Sequence, residues 1–111
     1  MGTRNNSDLP DVEGDTIAVT EPTEKIMAPR LFRVLLHNDD YTTMEFVVMV
    51  LMKIFRHSES KAMEIMLSVH QKGIGIAGTY AHDIAETKSA QVVEMAKEYD
   101  FPLRSSIEPI D

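Results

Sequence analysis

The sequence contains no cysteine among its 111 residues. Disulfide bridges, thiolate metal sites and cysteine nucleophiles are therefore excluded. Basic residues are also scarce: 11 Lys and Arg stand against 18 Asp and Glu, which gives a formal net charge of −7. Sequence-independent binding to nucleic acid and adsorption to an anionic membrane both need an excess of cations, so we expect neither partner.

Long apolar runs are missing as well. The longest mostly apolar stretch, Phe46 to Met52, is far shorter than the roughly 20 residues that cross a membrane. The first residues do not show the pattern of a secretory signal either, so a cytoplasmic location is the expectation. At roughly 100 to 200 residues per domain, the length predicts one small domain with a tail.

The acidic charge is distributed unevenly along the chain. Residues 1–29 carry six acids, two bases and three prolines without a periodic apolar pattern, whereas residues 30–111 hold twelve acids and nine bases. The composition of residues 1–29 is typical of a segment that does not form a hydrophobic core. We predict a flexible acidic extension at 1–29 and a folded domain at 30–111. The extension is either a solubilising leader or a segment that acts on a partner.

The pattern after residue 29 predicts the element order β-α-α-β-α-β. Leu31 to Leu36 is an apolar run of β-formers, ended by the turn residues Asn38-Asp39-Asp40. Thr42 and Glu45 have the spacing of a capping box, which predicts the start of a helix over Met44 to Phe55.

Two further helices and two strands are predicted downstream. Ser58 is the expected N-cap of the second helix, and Gly73 its end. Residues 73–80 are glycine-rich and predict a turn and a short strand, residues 82–99 a third helix, and residues 103–107 a last strand. The residues expected to face inward are Phe46, Val47, Val50, Leu51, Ile54, Phe55, Ala62, Ile65, Met66, Val69, Ile84, Ala85, Val92, Met95, Ala96 and Tyr99. The predicted fold class is an α+β sandwich of three helices against a mostly antiparallel three-stranded sheet.

The densest polar signal is His37-Asn38-Asp39-Asp40, between the first strand and the first helix. Such carboxylates can accept hydrogen bonds from a cation or an ammonium group, and Asn can donate or accept. The same residue types are also ordinary turn formers. His70, beside the apolar face of the second helix, is either a structural or a functional histidine. Spacing alone leaves these alternatives open.

Catalytic and metal sites find little support in the sequence. The histidines, at positions 37, 57, 70 and 82, do not show the i, i+4 spacing with carboxylate support that zinc sites usually have. Glycine-rich phosphate loops, nucleophile elbows and paired carboxylates are missing too. We therefore expect no metal, no cofactor and no enzymatic activity.

Three motifs carry a resemblance to a known family: VLLHNDDYTTMEFV, IMLSVHQKGIGIAG and DIAETKSAQVVEMAKEYDFPL. In this order and at these separations they closely resemble the ClpS family. Its members are adaptors that hand N-degron substrates to ClpA, the AAA+ unfoldase of the ClpAP protease, and modulate its substrate choice. The resemblance covers Arg30 to Ile110 and none of the extension, and it implies the element order given above.

The resemblance implies a small pocket for the first residue of a protein chain when that residue is Leu, Phe, Tyr or Trp. It implies that Asn38, Asp40 and His70 hold the free α-amino group, with Asp39 beside them at the pocket wall. The implied apolar wall consists of Leu36, Thr42, Met44, Val47, Met66 and Leu103. Met44 matches the family's gatekeeper, which narrows the pocket against β-branched side chains.

The resemblance also implies a partner surface. Asp83 and Lys88 match positions that face the N-terminal domain of the unfoldase, and residues 1–29 match the variable extension needed for delivery. Two departures from the family pattern are Thr43, where Pro is usual, and Ala81, where many members have Ser, Thr or Pro. Two other hypotheses stay open: a non-catalytic scaffold of similar fold, and, with the least support, a metal-dependent hydrolase that uses the histidines with Asp39 and Asp40.

Overall fold

The computed structural model describes residues 29–110. Its elements are β1 (Leu31–His37), α1 (Met44–Lys53), α2 (Glu59–Lys72), β2 (Ile74–Ala81), α3 (His82–Glu98) and β3 (Arg104–Pro109). The predicted order and α+β class are confirmed. Apart from Pro29, the predicted extension lies outside the described residues, as does Asp111. No helix within residues 29–110 is long and apolar enough to cross a membrane.

β1 is the central strand of an antiparallel sheet with the order β2-β1-β3. Leu36 lies opposite Gly75 of β2 and Ser105 of β3. Because side chains alternate along a strand, Val34 and Leu36 share one face; both are fully buried and join the core with the buried sides of the three helices. The central strand therefore carries the chain from the core directly into the polar loop, whose residues Asn38, Asp40 and Tyr41 are exposed.

The start of α1 differs from the prediction. Thr43, in an extended conformation, is the N-cap, and its Oγ1 accepts a hydrogen bond from Phe46 N at 3.1 Å. The capping box predicted from Thr42 and Glu45 is therefore wrong, because the third helical position holds Phe46, which cannot reach back to cap. The hydroxyl of Thr42 instead donates to Asp39.

α2 follows the prediction closely. Ser58 Oγ accepts from Lys61 N at 3.2 Å. Gly73 ends the helix in the left-handed region at φ 87°, where its N–H donates to Val69 O, a conformation that an L side chain rarely adopts. The four residues expected to face inward are all buried: Ala62, Ile65, Met66 and Val69.

α3 buries a narrower stripe than predicted. Ala85, Val92 and Ala96 are buried, but Ile84 is 52% and Tyr99 51% exposed, so these two inward predictions are wrong. Small residues allow the helix to approach the sheet closely, and Ile84 lies just outside that stripe. Tyr99 follows the last helical residue, and its ring meets Phe46 at the edge of the core. As expected from its sequence, Ala81 gives α3 no side-chain cap.

We expect Thr43→Ala to lower the free energy of unfolding by about 1 kcal/mol, because the Phe46 N–H loses its capping acceptor. Urea unfolding followed by circular dichroism measures the change. Ser60→Ala is the matched control: Ser60 is exposed in the first turn of α2 and is not its N-cap. A loss for Thr43→Ala no larger than that for Ser60→Ala would contradict the capping role.

Candidate functional site

The loop between β1 and α1 is shaped by the carboxylate of Asp39. One oxygen accepts from Tyr41 N at 2.8 Å and from Thr42 N at 2.7 Å, and the other accepts from the Thr42 hydroxyl at 2.7 Å. The start of the loop is tied to the end of α2, because Asn38 N donates to Gly73 O at 3.0 Å. These bonds fix the backbone that carries Asn38 and Asp40.

The same contacts determine the ionisation of Asp39. Burial alone would raise its pKa, but the hydrogen bonds from the Thr42 backbone, the Thr42 hydroxyl and the Tyr41 backbone outweigh that cost, with help from the positive charge of Arg104. The net result is a pKa below the ordinary 3.8. At neutral pH Asp39 is therefore an anion whose two oxygens both serve the loop.

A cavity of about 410 Å³ opens between this loop, the first turns of α1 and the end of α2. The loop contributes Tyr41, Thr42 and Thr43 to its lining. Its other polar lining residues are Asn38, Asp39, Asp40 and His70. Its apolar lining residues are Met44, Val47, Met66 and Val69. The cavity thus places a cluster of hydrogen-bonding groups against a wall of Met and Val side chains.

Three polar side chains at this cavity are free to bind a ligand. Asn38, Asp40 and His70 are exposed, and their side chains make no hydrogen bond or ion pair to other residues within 29–110. His37, from the same sequence cluster, does not line the cavity; its Nε2 lies 2.7 Å from Ser106 Oγ of β3. A carboxylate, an amide oxygen and an imidazole nitrogen can together accept hydrogen bonds from one cationic group.

The structure brings together eight of the ten residues that the resemblance implied for the pocket. The two exceptions are Leu36 and Leu103, which are 0% and 3% exposed, belong to the core cluster and do not line the cavity. Leu36 is enclosed by both neighbouring strands, and Leu103 enters the core just before β3. Val69 also lines the cavity and was not among the predicted site residues; its place three residues after Met66, on the same helix face, was the available signal.

Asp83 and Lys88 lie on α3, outside this cavity. The Asp83 side chain is fully exposed and contacts His82 at 3.3 Å. Lys88 is half-buried: its Nζ donates to Ile54 O at 2.9 Å and lies 5.4 Å from the centre of the Tyr80 ring. The carbonyl of Ile54 is at the C-terminal end of α1, where a cation is favourable. Lys88 therefore links α3 to α1, whereas Asp83 faces outward.

One group of potential metal ligands occurs within the described residues. His82, Asp83 and Glu86 offer ligand atoms within 4.8 Å of one another, and all three are exposed. His82 and Glu86 are four residues apart, about one turn of α3, which places their ligand atoms near each other. Exposed acidic groups of this kind are common in proteins without a bound ion.

Comparison with known proteins decides the family. Residues 27–106 match the model of the family described as ATP-dependent Clp protease adaptor protein ClpS. The chain belongs to the ClpS family. The match spans the loop, α1, α2 and α3, and thus every lining residue of the cavity.

Bacterial relatives named ATP-dependent Clp protease adapter protein ClpS are similar over most of the chain. The ClpS of Desulfatibacillum aliphaticivorans is 53% identical over 104 residues, 94% of each chain. That of Myxococcus xanthus is 54% identical over 99 residues, 87% of this chain and 92% of its own. The first alignment is longer than the predicted domain, so the expectation that the resemblance includes none of residues 1–29 is wrong.

A solved ClpS structure shares the fold. Agrobacterium tumefaciens ClpS2 bound to L-phenylalaninamide is 41% identical, with a TM-score of 0.72 over 75% of this chain and 100% of its own. The part common to both structures is thus the full length of that ClpS2 chain.

We expect Asp39→Asn to cost about 1 kcal/mol of stability at pH 7, because an amide nitrogen cannot accept the Thr42 hydroxyl. The folded pKa lies below the unfolded value of about 3.8, so the carboxylate stabilises the fold above that value. The difference between the two proteins should then shrink as the pH falls through the lower folded pKa.

Urea unfolding of both proteins at pH 7 and below pH 3 measures this difference. Asp40→Asn is the matched control, because Asp40 lies in the same loop but its side chain makes no hydrogen bond within residues 29–110. A loss of stability that is equal for the two variants, or that does not depend on pH, would contradict the role given to Asp39.

Proposed function

We propose that this chain is an N-degron adaptor. It binds the first residue of a polypeptide through the free α-amino group and a large apolar side chain, Leu, Phe, Tyr or Trp, and delivers that polypeptide to a ClpA-type unfoldase of the ClpAP protease. One observation carries the proposal: a single cavity combines free polar acceptors with an apolar wall. The proposal includes the cytoplasmic location expected from the sequence.

The polar side of the cavity suits an ammonium group. A chain N-terminus has a pKa near 7.7 to 8.0 and is largely protonated at neutral pH, so it offers up to three donors and a positive charge. Asn38 supplies an amide oxygen, Asp40 a carboxylate and His70 a ring nitrogen. An internal peptide group offers one uncharged N–H, which satisfies at most one of these acceptors.

The apolar side suits a large side chain that is not branched at Cβ, whether aliphatic or aromatic. Filling it with Leu or Phe contributes about 1.5 to 3 kcal/mol, and each hydrogen bond to the ammonium group a similar amount. After the cost of association, micromolar affinity is the expected scale. The ligand of the Agrobacterium ClpS2 structure, L-phenylalaninamide, has a free α-amino group and an aromatic ring, and so supports this choice of substrate.

Delivery without catalysis completes the proposal. The relatives are named adaptor proteins, which supports a binding role with no reaction. Asp83, exposed on the first turn of α3, is the residue we assign to the unfoldase surface together with Lys88. Because Lys88 Nζ already binds Ile54 O, we expect Lys88 to act there partly by holding α3 against α1. Residues 1–29 serve as the extension needed for transfer.

A peptide with a free N-terminal Leu should bind with micromolar affinity, and its N-acetylated form about a hundredfold more weakly, because acetylation removes the charge and two or more hydrogen bonds. Fluorescence anisotropy of peptides labelled at the C-terminus measures both affinities. A Met-first peptide tests the choice of side chain. Equal affinity for the free and acetylated peptides would favour the scaffold hypothesis instead.

Met44→Ala should raise the affinity for Ile-first and Val-first peptides by roughly five- to tenfold, because the thioether that narrows the cavity is removed. The Leu-first peptide should lose affinity or stay unchanged. Met52→Ala, on the same helix but outside the cavity, is the matched control. Unchanged Ile and Val affinities in Met44→Ala would show that Met44 does not select against β-branched residues.

A further inference from the structure

A second groove lies between α1 and α2, beside the cavity just described. Its volume is about 360 Å³, and its lining residues are Met44, Glu45, Val48, Glu59, Met63 and Met66. Met63 is 45% exposed and Val48 half-buried, so apolar surface at this groove is in contact with water. The proposed recognition of the first residue makes no use of it.

The groove adjoins the cavity. Met44 and Met66 line both. Met44 is 49% exposed and Met66 6%, so Met44 is the exposed one of the two side chains that the cavity and the groove share. A chain whose first side chain fills the cavity therefore passes beside Met44 on its way to the groove.

We infer that the groove is a subsite for the side chain of the third residue of the bound polypeptide, and that it takes an apolar side chain that is not branched at Cβ, such as Leu or Met. This inference rests on the proposed function. In an extended chain the side chains alternate in direction and advance about 3.3 Å per residue. The first and third side chains thus point to the same side about 6.6 Å apart, which is about the width of one intervening side chain. The second points away.

Charge further restricts what the groove accepts. Glu45 and Glu59 are exposed, and within residues 29–110 neither makes an ion pair. Two carboxylates beside an apolar surface repel an acidic third residue and leave a neutral one unaffected. The groove should therefore rank third residues in the order Leu or Met, then Ser, then Asp.

Peptides that begin Leu-Ser-Leu, Leu-Ser-Ser, Leu-Ser-Asp and Leu-Leu-Ser test the inference, all with the same remaining residues and a C-terminal fluorophore. We expect Leu-Ser-Leu to bind about fivefold tighter than Leu-Ser-Ser, because an open groove buries only part of the side chain. Leu-Ser-Asp should bind more weakly than Leu-Ser-Ser, and Leu-Leu-Ser should match Leu-Ser-Ser. Equal affinities for the first two, or a preference found at the second residue, would overturn the inference.

Variants connect the preference to the groove. In Met63→Ser the ratio between Leu-Ser-Leu and Leu-Ser-Ser should fall to about one, because Met63 lines the groove and not the cavity. Met52→Ser, equally conservative and 39% exposed on α1 outside both, should keep the full ratio. An unchanged ratio in Met63→Ser would overturn the assignment of the groove.

The acetylated form of each peptide distinguishes a failure of the third-residue subsite from a failure of the proposed recognition of the α-amino group. If acetylation abolishes binding while the third residue has no effect, only the subsite fails. If acetylated and free peptides bind equally, the recognition of the α-amino group fails, whatever the third residue does.

Discussion

The carboxylate of Asp39 accepts two backbone N–H groups and one hydroxyl from the two residues that precede the N-cap of α1. These bonds set the course of the chain between β1 and α1. The position of Met44, the polar wall and the mouth of the cavity all depend on that course. A short turn could also form from Asn or Ser, but a carboxylate with a lowered pKa holds three donors at once.

Adjacent residues of the same type thus have different tasks. Both carboxylate oxygens of Asp39 accept hydrogen bonds within the loop. The side chains of Asp40 and Asn38 make no hydrogen bond within residues 29–110. The hydrogen bond from Asn38 N to Gly73 O joins this loop to the end of α2, which carries His70. The polar groups of the cavity therefore come from two distant parts of the sequence, and this backbone contact helps to hold the two parts together.

The ends of the helices could be predicted from the sequence where only one local hydrogen bond was available to the capping residue. Ser58 and Gly73 compete with no other group for their capping roles, so the bounds of α2 followed from the sequence. Thr42 could either cap α1 or bind Asp39, and spacing alone does not show which contact is stronger. The predicted capping box failed for that reason, and the same competition gave Thr43 the N-cap.

The candidate site was predictable in its polar half and less so in its apolar half. Asn38, Asp39, Asp40 and His70 are chemically distinctive, and motif resemblance located them. Leu36 and Leu103 are apolar, as the wall of a pocket would be. Whether a leucine faces a cavity or the core depends, however, on how several elements pack together. Val69 shows the opposite case: it belongs to the core, and part of its side chain also lines the cavity. A sequence pattern that predicts a core residue does not reveal this second contact.

The central position of β1 has a mechanical consequence. Residues 1–29 join the fold next to Leu31, the first residue of β1, and this strand is paired along its length with β2 on one side and β3 on the other. Tension along the strand from that end loads both hydrogen-bond ladders in shear, so many bonds share the force. A hairpin pulled open from its ends would instead lose its bonds one after another. Residues 1–29 are thus joined to the strand that has a partner strand on each side.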